Sequence, residues 1–569
     1  MIKMVARMTL VSLALVLVLS VGFGGALAQD DGIPRGGIVT VSHEAFSVVL
    51  RNFSPFAPTQ NPASQAFIYE PLMVWNEVDG EIIPWLATGF VWSDDLLTLT
   101  FNIREGVMWN DGETFDANDV LYTMNLTREF PALDRGAVWA FLDSVELLDD
   151  YTIQFNLGEV YSLADVLIAQ TRPVPEHIWS ELDDPVTFVD DDPVATGPFS
   201  VVCRLEDQVF ELCANPLYWQ EGRPYVDAIR YPAYPGNEQS TLALINGDID
   251  WGGHFIPDVE TTYAAADPDN FNFYYWPGGA TVNLYMNTTK APYDDVAFRR
   301  AVSQAIDYNA VVNIGMYGYT IPSDPTGLGP RFEGWASQEA LERAAELGLN
   351  EYAPSAAAAT LDEAGYLDVN GDGFRELPNG DPMSMNVQVV NGWTDWVTSV
   401  QIISQNLQDI GVNAQVVTPE FGEWLNNLQT GDYDISIGWS SSGYTPWNYY
   451  RDSLDSSLLG ADNIANATSW SRWFSDDADA LLAAFTATAD PDEQFQVLSD
   501  LQMLFVENVP LVPLFPGPTW YQWNTQQFTG FPTADNYYTQ GSPWSRDSNS
   551  RLLVAVNIHC IDDTACGQE

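Results

Sequence analysis

Lysine is almost missing from this chain: Lys3 and Lys290 are the only two in 569 residues. Lysine and arginine together number 21 against 78 Asp plus Glu, a formal charge of −57. Such a surface repels nucleic acid and anionic lipid and stays hydrated through its carboxylates, which argues against polyanion partners and suits a salty or acidic medium. Cysteine and histidine are scarce too, four of each. His43, His177, His254 and His559 show no ligand spacing with the cysteines, and His559 beside Cys560 is the only adjacency, so a zinc site is disfavoured. No short-period repeat runs along the chain, and no second long apolar stretch follows the one at the N-terminus.

What is present is enough for a large buried core: 46% hydrophobic and 13% aromatic residues, including 20 Trp and 25 Tyr. At the N-terminus, Lys3 and Arg7 precede an apolar run from Thr9 to Gly22 and then Ala26-Leu27-Ala28. That is the order of a secretory signal with an A-x-A cleavage site, and no cysteine follows for lipid anchoring. The reading is an exported protein, soluble in the periplasm or outside the cell, cleaved after about Ala28.

The cysteines fall into two local pairs. Cys203 and Cys213 flank a strand-turn-strand pattern, so a hairpin disulfide is geometrically reasonable, and Cys560 with Cys566 forms the second expected pair.

Along the chain, Leu97–Ile103 and Tyr151–Leu157 alternate with period two, as half-buried strands do. Asp295–Asp307 and Val397–Ile410 repeat apolar residues at three- and four-residue steps, the second ending at Gly411, a natural helix stop. Strand-like and helix-like segments alternate from Met385 to Trp439, which predicts an α/β lobe. The stretch IGWSSSGYTPW, Ile437 to Trp447, begins where the last of those strands ends. Ligands of open α/β sheets gather at strand carboxyl ends, so this position favours a binding loop.

Several phrases occur in a set order: Ile68-Tyr-Glu-Pro-Leu-Met, Leu99-Thr-Phe-Asn-Ile-Arg-Glu-Gly-Val-Met-Trp-Asn-Asp-Gly, Thr196-Gly-Pro-Phe, Asn215-Pro-Leu-Tyr-Trp, Asn287-Thr-Thr-Lys-Ala-Pro-Tyr, Leu361-Asp-Glu-Ala-Gly-Tyr and Val509-Pro-Leu-Val-Pro-Leu-Phe. In that order they resemble the extracellular family 5 solute-binding proteins of bacterial ABC importers, over nearly the whole mature chain. The resemblance implies an α/β, two-lobed periplasmic-binding-protein fold with a hinge and an additional inserted domain. It divides the chain into a signal peptide (1–28), lobe I (29–63, 191–280 and 510–569), an inserted domain (64–190) and lobe II (281–509). It further implies a monomer that closes around a small molecule and docks on the transmembrane subunits of a permease, with no covalent chemistry.

Peptide-binding relatives typically carry an acid three positions after the tryptophan of the Gly-Trp stretch, to pair with the peptide ammonium. Here Ser442 stands in that slot, so the charge-assisted bond is lost and a peptide is demoted. A sugar instead needs aromatic platforms with neutral donors and acceptors. Trp439, Ser441, Ser442, Tyr444 and Trp447 combine these, and Asn391, Trp393 and Trp396 repeat the combination after the strand that begins at Met385. Trp251, His254 and Trp276 would supply the opposing lobe, with Trp520 from a later segment. Gly247-Asp-Ile-Asp-Trp-Gly-Gly-His, Asn391-Gly-Trp-Thr-Asp-Trp and Gly517-Pro-Thr-Trp-Tyr-Gln-Trp-Asn-Thr look like the family's cellobiose and β-oligosaccharide branch. The expected ligand is therefore a β-linked oligosaccharide, with an oligopeptide or dipeptide as the alternative.

Two kinds of enzyme compete with this reading. No serine of the triple-serine stretch satisfies G-x-S-x-G and no histidine stands in a triad context, so a serine hydrolase lacks an activated nucleophile. A secreted glycosidase would need only two carboxylates, and among 78 acids a pair proves nothing. No cofactor is expected except a structural calcium ion: Asp368, Asn370 and Asp372 occupy positions one, three and five of a calcium-type loop with Gly373 at six. Position twelve is Asn379 rather than a bidentate Glu, and an acidic turn before a strand is the competing reading.

Overall fold

The computed structural model describes residues 32–42, 48–57, 60–441, 443–460, 463–544 and 549–566. The expected signal peptide, His43 and Ser442 lie outside these. Among the described residues no helix is long and apolar enough to cross a membrane.

The period-two segments are strands Thr98–Ile103 and Thr152–Leu157, whose side chains alternate between buried and partly exposed. They pair antiparallel, with Leu99 opposite Phe155 and Phe101 opposite Ile153, so their apolar faces coincide. Ala87–Trp92 and Leu142–Asp149 flank them in a four-stranded antiparallel sheet. Helix Ala117–Glu129 belongs to the same unit and opens on a capping box between Asp116 and Asp119. This unit shares one continuous core with the sheet ordered Ile38–Thr40, Ala228–Pro232, Val209–Cys213, Val201–Leu205: Phe101 and Phe155 belong to the same cluster as Val39 and Ile229. Disulfide Cys203–Cys213 ties the hairpin of that second sheet, and Cys560–Cys566 closes a loop near the C-terminus.

The other lobe is a five-stranded sheet ordered Asn413–Val417, Ser384–Gln388, Ile435–Trp439, Thr281–Met286, Val512–Pro516, with its own core. The first three strands are parallel, and Thr281–Met286 runs antiparallel to both of its neighbours, Ile435–Trp439 and Val512–Pro516. Helix Thr394–Asp409 packs on this sheet through Val400, Ile403 and Leu407, and Gly411 beyond it adopts φ +83°, the left-handed stop expected from the sequence. Val512–Pro516, wholly buried, lies in this sheet rather than in the first lobe. A division at 509/510 therefore comes too early: an unbroken apolar strand pairs best with the buried strand Thr281–Met286.

Among the described residues the chain crosses between the lobes twice, side by side. Gly517 N donates to Ala280 O (2.8 Å) and Thr519 N to Trp276 O (3.1 Å). A Cβ on Gly279 would lie 2.1 Å from Gly517 O, so only glycine allows this approach. Away from the crossings the two halves also touch, through Asn237 N to Gly392 O (3.1 Å) and Ser162 N to Thr486 O (2.7 Å).

Candidate ligand-binding cleft

A cavity of about 740 Å³ lies between the lobes. Its lobe II wall is aromatic because three elements have an end there: strand Ile435–Trp439 delivers Trp439, helix Thr394–Asp409 delivers Trp393 at its N-cap and Trp396 in its first turn, and helix Phe421–Thr430 delivers Phe421. Trp393 and Trp396 meet edge to face at 4.9 Å, and Phe421 lies parallel to Trp439 at 6.3 Å. Trp424, wholly buried behind Trp439 at 5.0 Å, anchors the group by donating Nε1–H to Ser436 Oγ (3.0 Å). Within the group Trp393 and Trp439 are only half-buried.

The opposing wall carries His254, Phe255, Gln540 and Trp544, with Trp520 beside the crossing. Trp544 is oriented by its Nε1–H donating to Gly253 O (2.7 Å). Trp520 packs edge to face on Phe255 (5.4 Å) and Tyr275 (4.9 Å). Asn237 and Asp395 also line the cavity, as do Glu77 and Arg135. Burial raises the Asp395 carboxyl to about 7 and holds the His254 imidazole down at about 3, so the histidine is neutral at ordinary pH.

Of the residues singled out in the sequence, Trp393, Trp396, Trp439, His254 and Trp520 converge on this cavity. The other described ones do not line it. Trp251 is fully buried in the lobe I core, donating Nε1–H to Gly541 O (2.7 Å) and packing on Phe67. Trp447 is turned inward by the first turn of helix Pro446–Leu454, bonds Leu482 O (3.0 Å) and lies parallel to Phe485. Tyr444 meets Trp75 of the inserted domain edge to face at 5.5 Å, and Ser441 borders a separate small recess with Gly329 and Arg331. Trp276 packs against Tyr537 at 6.3 Å, and Asn391 is exposed, its Nδ2 spent on Glu420 (2.8 Å).

Phe421, Phe255, Trp544, Gln540, Asn237 and Asp395 were missed as cleft residues. Asp395 sits inside the Asn391-Gly-Trp-Thr-Asp-Trp phrase, and Phe255 directly follows His254 just beyond strand Trp251–Gly252; the others carry no comparable sign in the sequence.

In the calcium-type loop the carboxylates of Asp368, Asp372 and Glu376 come within 4.8 Å of one another. The loop's own donors fill much of this space. Gly371 N and Gly373 N bond Asp368, while Asn370 turns its amide nitrogen to Asp372 (3.1 Å) and Glu376. Glu376, at position nine, is the buried third acid, and Asn379 pairs instead with Asp381 (2.8 Å).

Residues 81–459 match the family model of bacterial extracellular solute-binding proteins, family 5 (middle). The nickel-binding periplasmic protein of Escherichia coli is 26% identical over 388 residues, 66% of this chain and 70% of that protein. Di/tripeptide-binding protein 1 of Pseudomonas aeruginosa is 23% identical over 486 residues, 80% and 84% of the two chains. The fold is shared with a mannohexaose-bound periplasmic oligopeptide-binding protein of Thermotoga maritima, at TM-score 0.87 and 24% identity over 92% of this chain and 99% of that one. The chain therefore belongs to the bacterial extracellular solute-binding proteins of family 5, as the substrate-binding protein of an ABC importer and not an enzyme.

Proposed function

We propose that this protein captures a short, neutral, β-linked oligosaccharide between its lobes and delivers it to the permease. The observation that carries this reading is the set of five tryptophans, Trp393, Trp396, Trp439, Trp520 and Trp544, lining a single cavity from both sides. Sugar rings offer apolar C–H faces to such platforms and hydroxyls to neutral polar groups such as Asn237, Ser240 and Gln540 around them. The mannohexaose held by the Thermotoga maritima protein is a precedent within the same fold. The paired crossings at Trp276–Thr281 and Pro516–Trp520 would serve as the hinge, and the leader cleaved near Ala28 would export the chain.

A dipeptide is the competing ligand, favoured by Arg135, Glu77 and Asp395 in the same lining and by the di/tripeptide-binding relative. A melting-temperature panel separates the two, because a ligand that binds only the folded state raises apparent stability. Cello-, xylo- and manno-oligosaccharides should stabilise the protein in a concentration-dependent way. Stabilisation by dipeptides alone would refute the sugar reading.

A further inference from the structure

The lobe II wall of the cleft does not stop at Trp439, because helix Phe421–Thr430 continues it. Phe421, parallel to Trp439 at 6.3 Å, stands at the start of that helix. From there Gly422, Leu425, Asn426 and Gln429 all line the cavity. The last three follow Gly422 by three, four and seven residues, the spacing of one helical face. The opposite face sends Trp424 and Leu428 into the lobe II core. From Gly422 to Gln429 the helical rise covers about 10 Å, so this face prolongs the cleft beyond the tryptophans.

Two features of the face point to a ligand. The first is Gly422. Gly236, Gly253, Gly279 and Gly517 also line the cavity, and at each of them a Cβ would come within 3.0 Å of a neighbouring atom. Gly422 differs: among the described residues a Cβ there would meet nothing within 4 Å beyond its chain neighbours and its own helix backbone, and the residue is exposed. Glycine inside a helix is destabilising relative to alanine, and no close approach of the chain requires it here. What it leaves is open space on the cavity side of the helix.

The second feature is a pair of reachable amides. Asn426 is exposed and Gln429 half-buried, and among the described residues neither side chain has a hydrogen-bond partner. Their neighbour Asn427 is by contrast engaged, its Nδ2 donating to Gln388 Oε1 (3.2 Å). A side-chain amide offers both a donor and an acceptor, which matches a hydroxyl, itself donor and acceptor.

We infer that the cavity face of helix Phe421–Thr430 is a further saccharide subsite: Gly422 makes room for an added sugar ring, Leu425 packs on the ring's apolar face, and Asn426 and Gln429 hydrogen-bond its hydroxyls. The protein accordingly prefers linear chains longer than a disaccharide. The inference rests on the oligosaccharide reading and deepens it, the tryptophans holding one part of the chain and this helix its continuation.

The test uses the mature full-length chain and calorimetry with cellobiose, cellotriose and cellotetraose, and with the corresponding xylo- and manno-oligosaccharides. The quantity read is the ratio of the tri- or tetrasaccharide affinity to that of the disaccharide in the same series. In the wild type at least one series should show a ratio of about tenfold or more. Gly422→Leu fills the open space with a good helix former and should bring that ratio to about one. A melting temperature at or above that of the wild type reports that this variant is folded. Asn426→Ala and Gln429→Ala should each lower the ratio by about threefold to tenfold, the range for one hydrogen bond. Wild-type ratios of about one in every series, or a ratio that Gly422→Leu leaves unchanged, overturn the inference while leaving the carbohydrate function standing. Binding of di- or tripeptides with no saccharide bound overturns that function, and the inference with it.

Discussion

Asn237 of lobe I and Asp395 of lobe II meet across the cleft, the Asn237 amide donating to the Asp395 carboxylate at 3.3 Å. The backbones come close at the same place. Gly392 adopts φ +84°, and a Cβ on it would lie 2.7 Å from Pro235 O. In this arrangement of the lobes Asp395 is buried, and that burial pushes its pKa to about 7.

The sign of the resulting pH dependence follows. In an open form Asp395 would titrate near the ordinary value of about 3.9, so the closed form holds its proton more tightly. Closure is fully favoured below about pH 4 and loses that advantage as pH rises to about 7, with no further change from this group above it. Ligand affinity measured between pH 4 and 8 should fall over that window in the wild type. In Asp395→Asn this part of the slope should vanish; an unchanged slope would remove Asp395 as its origin.

Trp439 touches Trp393, Trp396, Phe421 and Trp424 and is half-buried at the cavity wall. Trp439→Ala should weaken sugar binding at least about tenfold, equivalent to about 1.4 kcal/mol, with the protein still folded. Unchanged affinity in calorimetry would make Trp439 a packing residue only.

The stretch from Ile437 to Trp447 has a second role beside the one its strand-end position suggests. Tyr444 meets Trp75, and Trp447 meets Tyr161 edge to face at 6.3 Å, so two of its aromatics grip the inserted domain. Tyr444→Ala should speed ligand release in stopped-flow measurements, since it weakens a contact made only when the lobes are together. The association rate should change little.

Disulfide Cys203–Cys213 closes a loop between residues ten apart, and neither cysteine lines the cleft. Replacing both by alanine should cost about 2–3 kcal/mol on the loop-entropy estimate. Denaturant unfolding should record that loss, while ligand affinity stays unchanged.

Local periodicity in the sequence was a good guide to the strands Thr98–Ile103 and Thr152–Leu157 and to the helix before Gly411, since each is set by neighbours within one turn or one pleat. It also led to Trp439, at the end of one strand of the sheet, and to Trp393 and Trp396, at the start of the helix that follows another. It could not separate Trp251 and Trp447 from these, because a tryptophan beside a strand or glycine looks the same whether its ring faces core or cleft. Only the partners distinguish them: Gly541 O for Trp251 and Leu482 O for Trp447 are 290 and 35 residues away. Trp544 and Phe255 likewise reach the cleft through contacts distant in sequence. Val512–Pro516 carries no local sign of which lobe's sheet it joins.

Intrinsic tryptophan fluorescence during titration tests the central claim most directly, because Trp393, Trp396 and Trp439 form one wall of the proposed sugar site. Saturable changes in emission with cello-, xylo- or manno-oligosaccharides, absent with dipeptides and reduced in Trp439→Ala, are the expected result. A saturable change with dipeptides and none with any of these sugars would contradict it.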